Sequence, residues 1–585
     1  MPKDQRIPHP DDLAALMDGM FYESDEKLII ALDFGTTFSG IAYCFANQRD
    51  TKVVAILEWP GAEGESAPKI PTLINYSDAD SGEFAWGASV NRMQDNIVGV
   101  KLLLDPKQER PLYLPTANVK RTIKSLPKPP IEIAADFIGA VYRHALDEIS
   151  KVVPHDYFKI CQKHFVLSVP AVWSDAAKNA TLQAAKIAGI FPVTLIKEPE
   201  AAALYTMHSL DFSLNIGDAF VVCDAGGGTV DLISYEVVEL SPTLQVKELV
   251  PGTGGMAGSL GLNQRFAEAV KNLVGDDQFA DLRKTKGFSL AEKSFDREVK
   301  RAFKGDQDEE YFVNFPMASL DDDPDLGLEA NCWRMTGTDL KAIFAPLITD
   351  ILRLIDDQVK SVKIKRPGRG VTGIFLVGGF GNSRYLKACV EREYPDIQVL
   401  QPTDAWAAIV KGAALSKLPK QASVVATSAP KHYGVEAWKI YNPILDRDVP
   451  SEIQRDGSKR ALGMTWFINM GDEIQRNQDI KFSFYRSIDE DYTPKDLVFT
   501  DTLYECADQH APRHRSRGNK IGPNCKVTAD LRSVSSDRFK RRVDKEGKPY
   551  YDVSYDLVVT LKSALMTFSL EVDGVSMGSV QAKFS

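Results

Sequence analysis

A chain of 585 residues with a formal net charge of −10, 44% hydrophobic and 26% charged, has the composition of a globular protein of about four domains, and its acidity argues against general nucleic-acid binding. Seven cysteines without a CxxC pair point to reduced thiols in an intracellular protein rather than a disulfide framework. The polar, acidic stretch Met1 to Lys27 lacks the apolar centre of a signal peptide, and no run of eighteen apolar residues follows, so the expectation is a soluble chain, cytoplasmic or nuclear, without a membrane partner.

In chain order, Leu28 to Tyr43 (LIIALDFGTTFSGIAY) is an apolar run that stops at Asp33, then Gly35, Thr36 and Thr37, then the alternation Phe38, Gly40, Ile41, Ala42. It reads as strand, glycine turn, strand. Ile70 to Asn75 and Phe84 to Trp86 read as short strands, and Asn96 to Leu104 as helical. Lys101 lies in that apolar stretch, where an unpaired ammonium is costly; its stem either snorkels outward or serves a site. Pro127 to Pro130 breaks the chain before a helix with Ile133, Phe137, Ile138, Val141, Ala145 and Ile149 on one face. His164 to Val169 is a strand followed by Pro170; Ser174 caps an Ala-rich helix running to Ala188, with Gly189 at its C′ position. Val193 to Lys197 is a strand ending at Glu198-Pro199, before a helix over Ala201 to Met207. An acid at a strand end either orients water at a ligand or merely ends the strand.

Phe220 to Tyr235 (FVVCDAGGGTVDLISY) repeats the first pattern: an apolar run to Asp224, then Gly226, Gly227, Gly228 and Thr229, then Asp231 and a second apolar run. Glycines let the backbone approach a ligand so that successive N–H groups converge on an anion, and carboxylates beside such a cradle need a cation, for which Mg²⁺ is suited. A tight hairpin with glycines for geometry alone is the other reading. Asp33 and Asp224 are 191 positions apart (224 − 33), the length of a domain, so the repeat reads as a duplicated α/β half whose two hairpins face one another across a polyphosphate. No GxxxxGK[ST] string occurs.

Pro251 to Leu262 contains a GxGxxA match at Gly252, Gly254 and Ala257, but without a ribose acid it reads as a third glycine turn over the phosphates rather than a dinucleotide site. Glu292 to Phe303 is helical, with Lys293, Arg297, Lys300 and Arg301 read as a solvated face. Asp306 to Glu310 and Asp321 to Asp325 are acidic turns. Thr338 is read as the cap of a long helix with Leu340, Ile343, Phe344, Leu347, Ile351, Leu354 and Ile355 at helical spacing, despite Pro346. Val371 to Arg392 is strand, glycine turn and helix, capped by Asn382 or Ser383; Ala405 to Leu415 closes the α/β part, with Gly412 for close packing. Ser416 to Pro430 has linker composition. Beyond it the pattern is strands: Thr465 to Asn469, Lys481 to Tyr485, Val553 to Leu561 at period two, and Leu565 to Val572 and Val575 to Phe584 about the hairpin turn Asp573-Gly574. Cys506, His510, His514 and Cys525 fit no zinc spacing, and Arg513, Arg515, Arg517, Arg538, Lys540, Arg541 and Arg542 read as solvated basic loops.

Taken in order, DFGTT, VPAVW, KEPEAAAL, DAGGGTVD and LVGGFGNSR resemble the nucleotide-binding domain of the heat-shock protein 70 (DnaK-type) family, in the actin-like ATPase superfamily, over about Lys27 to Leu418. KLLLDP, the stretch Gly252 to Gly261 and INMGDEI resemble its divergent A-twelve-type branch, which includes fungal chains. The resemblance implies an α/β, actin-like ATPase fold of two duplicated lobes around a nucleotide cleft, followed by a smaller, mainly-β domain. The layout would be an N-terminal extension (1–26), the nucleotide-binding domain (27–418), a linker (419–430) and the β domain (431–585). It further implies that Gly35, Thr36 and Thr37 form the first phosphate loop and Gly226, Gly227, Gly228 and Thr229 the second; that Asp33, Asp224 and Asp231 hold water-coordinated Mg²⁺; that Lys101 reaches the γ-phosphate and the attacking water; and that Glu198, Asp224 and Thr229 act beside it. Pro170 matches an interdomain switch proline, Gly378, Gly379 and Arg384 match the adenosine pocket, Asp404 matches the acid closing the second connecting segment, and Lys300 and Arg301 match the helix that stacks on adenine.

The function so implied is a slow, Mg²⁺-dependent ATPase binding ATP and ADP, with chaperone-like lobe closure coupled to the β domain. The implied partners are a protein or peptide client and a co-chaperone or exchange factor. A nucleotide-gated scaffold with little hydrolysis and a small-molecule kinase of the same superfamily are the alternatives. Three features depart from the family pattern: Phe380 and two extra residues in the Gly378 turn, a linker with only Val424 and Val425 in place of a leucine run, and a chain that ends at a strand without a helical lid.

Overall fold

The two aspartate–glycine hairpins each start a sheet of the same design. The computed structural model describes residues 25–47, 51–76, 83–91, 96–105, 126–209, 213–516 and 518–584; the extension before residue 25 and Arg517 lie outside the described residues. In the first lobe, strand Lys27–Asp33 pairs antiparallel with Phe38–Phe45 and parallel with Gln162–Val169, which pairs parallel with Val193–Lys197. In the second, Ala219–Ala225 pairs antiparallel with Val230–Glu239 and parallel with Gly373–Val377, which pairs parallel with Gln398–Leu400. Each hairpin also carries an antiparallel strand on its outer side, Val54–Ala55 in one lobe and Gln245–Gly255 in the other. Identical pairing senses at corresponding positions make the lobes a structural duplication.

Helices cover the sheets where their apolar stripes dictate. Helix Pro130–Val152 has Pro130 in its first turn, where no N–H is needed, and turns Ile133, Phe137, Ile138, Val141, Ala145 and Ile149 into the first lobe's core. Ser174 Oγ accepts from the Ala177 N–H to start helix Asp175–Ile187, and Gly189 follows it at φ +83°. The lobes meet through two Ala-rich helices, Glu198–Ser209 and Ala408–Leu415, whose alanines share one core with Ile29 and Val166 of the first sheet and Phe220, Val222 and Phe375 of the second. A Cβ on Gly412 would stand 1.7 Å from the Ala201 carbonyl oxygen, so only glycine permits this crossing.

Four expectations are corrected. The stretch before Asp105 is a single helical turn, Val100–Leu103, preceded by strand Ile97–Val98 paired with Leu73 and Ile74. The long helix Gly337–Lys365 is capped by Thr336, not Thr338: Thr336 accepts from the Asp339 N–H while the Asp339 carboxylate accepts from the Thr336 N–H, satisfying two end groups at once. The helix over Glu292 to Phe303 contains a π turn, Phe295–Val299, which rotates Lys300 inward. Ser416 to Pro430, expected as a linker, contains strand Ser423–Ser428, which lies parallel to Gln245–Gly255 and buries Val424 and Ala426. The second sheet's edge is open to it, and pairing satisfies both sets of backbone groups. INMGDEI then delivers strand Glu473–Gln475 onto the same sheet.

From His432 onward, Glu473–Gln475 apart, the described residues form two antiparallel sheets and two single-turn 3₁₀ helices. One sheet runs Ser451–Ile453, Lys459–Ile468, His432–Ile440, Val498–Cys506, Ile521–Asp530, Gln581–Phe584; the other is built on Asp479–Asp489, Pro549–Leu561, Met566–Val572 and Val575–Ser579. Tyr433, Leu503 and Val527 of the first pack on Leu557, Val559 and Phe568 of the second, as in a sandwich. Asp573 and Gly574, both at positive φ, make the last hairpin turn. No described helix is long and apolar enough to cross a membrane.

This sandwich is seated on the lobes. Arg476 donates from both terminal nitrogens to the two oxygens of Glu200, at 2.6 Å each, and Ser563 Oγ adds a third bond to Glu200 Oε2 at 2.8 Å. Asn524 donates to Asp175 at 2.8 Å, and Ala564 enters the first lobe's core.

Candidate functional site

The glycine turns of the two hairpins touch. A Cβ on Gly227 would lie 2.2 Å from Thr37 Oγ1, and one on Gly228 would lie 2.9 Å from Thr36 Cγ2. A Cβ on Gly35 would strike the Phe38 carbonyl oxygen at 2.0 Å, so the first turn is as dependent on glycine as the second. The turn from Gly258 to Leu260 packs on the same place: Ser259 and Leu260 donate their N–H groups to the Gly226 and Gly227 carbonyls at 3.1 and 2.9 Å. The third glycine segment thus buttresses the second turn, while Gly252 and Gly254 belong to the preceding strand. Gly378, at φ +86°, closes the floor; a Cβ there would sit 2.4 Å from Asp224 Oδ1.

Around these turns the structure gathers Asp33, Glu198, Asp224 and Asp231, all buried, with the ammoniums of Lys69 and Lys101. Asp224 and Asp231 are direct cross-strand partners and share a face. Lys101 is 3% exposed, so its stem does not snorkel. Its ammonium donates to Glu198 and lies 5.5 Å from the ring centroid of Trp173, the last residue of VPAVW. Glu198 is the first residue of its helix, directly after the strand that ends at Lys197. Lys69 donates to Asp33 Oδ2 at 2.6 Å, and Ser168 donates to Asp33 Oδ1 at 2.7 Å.

Burial works against charge throughout this cluster, and the neighbours decide which groups resist it. For Asp33 burial is outweighed by Lys69 and then Lys101, which hold its carboxyl below the ordinary value. Burial raises Glu198 to about 7; Lys101 opposes the rise, and the charges of Asp33 and Asp231 add to it. Burial raises Asp231 to about 6 against Lys101. Asp224 is raised well above its ordinary value, by burial and then by Glu198 and Asp231, with Lys69 the opposing charge. Lys101 stays above its usual value because Glu198 and Asp33 overcome its burial. Four carboxylates against two ammoniums leave a formal excess of two negative charges.

That excess suits one divalent cation. Among the described residues no group of three or more His, Cys, Asp or Glu side chains converges to chelate a metal unaided. However, Asp224 Oδ1 and Asp231 Oδ1 are buried without a hydrogen-bond partner. Two free carboxylate oxygens fit Mg²⁺, which keeps most of its waters and takes few protein ligands. Asp33 differs, because both of its oxygens already serve protein donors.

The residues expected at a nucleoside are less uniform. Gly378 and Gly379 form a one-turn helix, and Phe380, the unexpected insertion, points into the second lobe's core against Phe344. Arg384 is exposed at the start of helix Arg384–Glu393, whose cap is Ser383. Lys300 is not on a solvated face: its ammonium pairs with Asp296 and donates to Asn263 Oδ1 at 3.1 Å. Arg301 stacks at 5.7 Å on Trp406, which also meets Phe38 of the first hairpin edge-on at 5.6 Å. Asp404 pairs with Lys411 at 2.6 Å. Lys69, Ser168 and Trp406 escaped the sequence reading. Only Lys69 carried a signal, a charge directly before an apolar strand.

Duplicated lobes of this topology, joined by glycine turns over a carboxylate–lysine cluster, define an actin-like ATPase fold. A family profile described as Hsp70 protein matches residues 29–417, and the chain belongs to that family. It is similar to human heat shock 70 kDa protein 12A, at 25% identity over 577 residues covering 82% of this chain and 81% of that protein. The corresponding similarity to human heat shock 70 kDa protein 12B is 23% over 555 residues, covering 77% and 78%. It is also 30% identical over 224 residues to a chaperone protein HscA homolog of Vibrio vulnificus, covering 36% of this chain and 32% of that one. The long, low-identity matches put the chain with the divergent 12A/12B branch.

Proposed function

We propose that this protein binds ATP and ADP between its lobes, hydrolyses ATP slowly with Mg²⁺, and uses lobe closure to act on the seating of its β sandwich. The observation that carries the reading is the contact of the two glycine turns above the buried Lys101–Glu198 pair. Phosphoryl transfer to water asks mainly for positioning and neutralisation of charge. Backbone N–H groups of the turns Gly35 to Thr37 and Gly227 to Thr229 cradle the phosphates, the Gly226 N–H closing the second turn onto the Thr229 carbonyl at 2.9 Å, and Lys101 neutralises the terminal phosphate. Glu198, near pH 7 in its titration, accepts a hydrogen bond from the attacking water and orients it. Asp224 and Asp231, each with a carboxylate oxygen lacking a hydrogen-bond partner, would hold Mg²⁺, which would supply further positive charge to the polyphosphate. Arg301 and Trp406 flank the nucleoside end.

The output runs along helix Glu198–Ser209, where Glu198 faces the cleft and Glu200 anchors Arg476, which leads from strand Glu473–Gln475 on the second sheet into strand Asp479–Asp489 of the sandwich. A protein or peptide client on the sandwich, and an exchange factor on the lobes, fit this coupling. The seven unpaired cysteines suit the cytoplasm or nucleus. Lys101→Ala is expected to lower phosphate release at least about 100-fold while calorimetry still registers ATP binding; unchanged hydrolysis defeats the assignment. A second reading, a scaffold that holds ATP without turning it over, draws on the mutual pairing of Lys101 and Glu198. Phosphate release measured beside ATP retention on the same preparation separates the two.

A further inference from the structure

The sequence resemblance assigns one lysine to the phosphates, Lys101, and leaves Lys69 without a role. The structure puts Lys69 in the same cluster. Strand Ile70–Pro71 pairs with Phe38 and Ser39, and the stem of the preceding Lys69 lies across Gly40, where a Cβ would come within 2.9 Å of Lys69 Cγ. Gly40 is the register partner of Asp33. Asp33, Gly40 and Lys69 therefore lie side by side on three neighbouring segments, and the missing side chain at Gly40 is the channel through which the lysine reaches the carboxylate.

The ammonium so delivered is buried, beside the first glycine turn, with Asp33 its one acceptor among the described residues. An ammonium has three donors, so two of them remain for a ligand. Burying an ammonium is costly, and a lysine kept here only to neutralise Asp33 would spend that cost on a carboxylate that Ser168 already bonds. Lys69 also reaches electrostatically across the cleft to Asp224 on the other hairpin, so its charge is felt on both sides of the space that the turns enclose.

We propose that Lys69 is a second phosphate-binding lysine of this cleft, held on Asp33 until a polyphosphate arrives and then shared between the two. It supplies at the first hairpin positive charge that is otherwise left to a divalent ion, so nucleotide binding here survives magnesium removal better than the carboxylate count implies. This rests on the nucleotide reading above.

The test is calorimetric titration of the full chain with ATP, ADP and AMP, in magnesium and in EDTA at matched ionic strength, for wild type, Lys69→Met and Lys69→Arg. Loss of a charge-assisted bond predicts that K69M binds magnesium-free ATP about 10- to 100-fold more weakly than wild type. The loss shrinks in magnesium and is absent for AMP, and K69R recovers most of it. Equal magnesium-free ATP affinity in K69M and wild type overturns the proposal, as does a loss of the same size for AMP, which marks a structural role. Should K69M fail to fold, K69M/D33N compared with Asp33→Asn carries the same test with the buried pair removed together. A wild-type chain that binds ATP in neither buffer overturns the nucleotide reading itself, a result distinct from failure of K69M to differ.

Discussion

Glu198 and Glu200 stand two residues apart in the first turn of one helix, both at least 95% buried, and they behave in opposite ways. Glu198 faces the cleft, where one lysine must serve it among other carboxylates, and burial raises it to about 7. Glu200 faces the sandwich, where burial is overcome by the bidentate Arg476 and by Ser563, and its carboxyl lies below the ordinary value. Equal burial therefore does not set the state of a carboxylate; the count of cations and donors around it does. The cleft keeps its glutamate in a state that changes near neutrality, and the junction keeps its glutamate charged. Pro199 between them fixes φ in the first turn, where its missing N–H costs no hydrogen bond.

The largest break in this contrast comes at the junction. Arg476→Ala leaves Glu200 buried and without its arginine, and is expected to cost about 3–5 kcal/mol. Denaturant unfolding and the rate of proteolysis between the lobes and the sandwich read it. A loss below about 1 kcal/mol would mean that the pair is dispensable to seating. Gly412→Ala acts on both ends together, because the added methyl meets the Ala201 carbonyl of the same helix. Overpacking of this kind costs about 1–3 kcal/mol. The expected signature is lower ATP turnover together with faster junction proteolysis; a change in one alone would show that the helix does not move as a unit.

The smallest effect is in pH dependence, and its sign separates the two glutamates. Glu198 is raised on folding, so its contribution to stability is present below its ordinary value of 4.5 and is lost as pH rises from there through about 7. Melting temperatures of Glu198→Gln minus wild type should therefore grow more positive between pH 5 and pH 8. Glu200 is lowered on folding, so its contribution is present above 4.5 and is lost as pH falls through its depressed value. Glu200→Gln minus wild type should grow more negative from pH 4 to pH 6. Parallel slopes for the two variants would sink the contrast.

What could be read without coordinates is what depends on near neighbours in the chain. Apolar runs ending at Asp33 and Asp224, the glycines between strands, the caps at Ser174 and Ser383 and the turn at Asp573-Gly574 are local chemistry, and the structure has each of them. Thr336 was legible in principle, since the Asp three positions later signals a capping box, but Thr338 lies closer to the apolar stripe. Tertiary structure alone decided the rest. Lys69 meets Asp33 from 36 positions away and Arg476 meets Glu200 from 276, and no spacing rule links such pairs. Ser423–Ser428 has the composition of a linker and becomes a strand only because the second sheet presents an open edge. Phe380 and Lys300 turn inward, where local periodicity put Lys300 on a solvated face, because a core and a carboxylate wait there. Backbone conformation is settled by neighbours along the chain, whereas the partner of a buried charge is settled by whichever surface the fold lays against it.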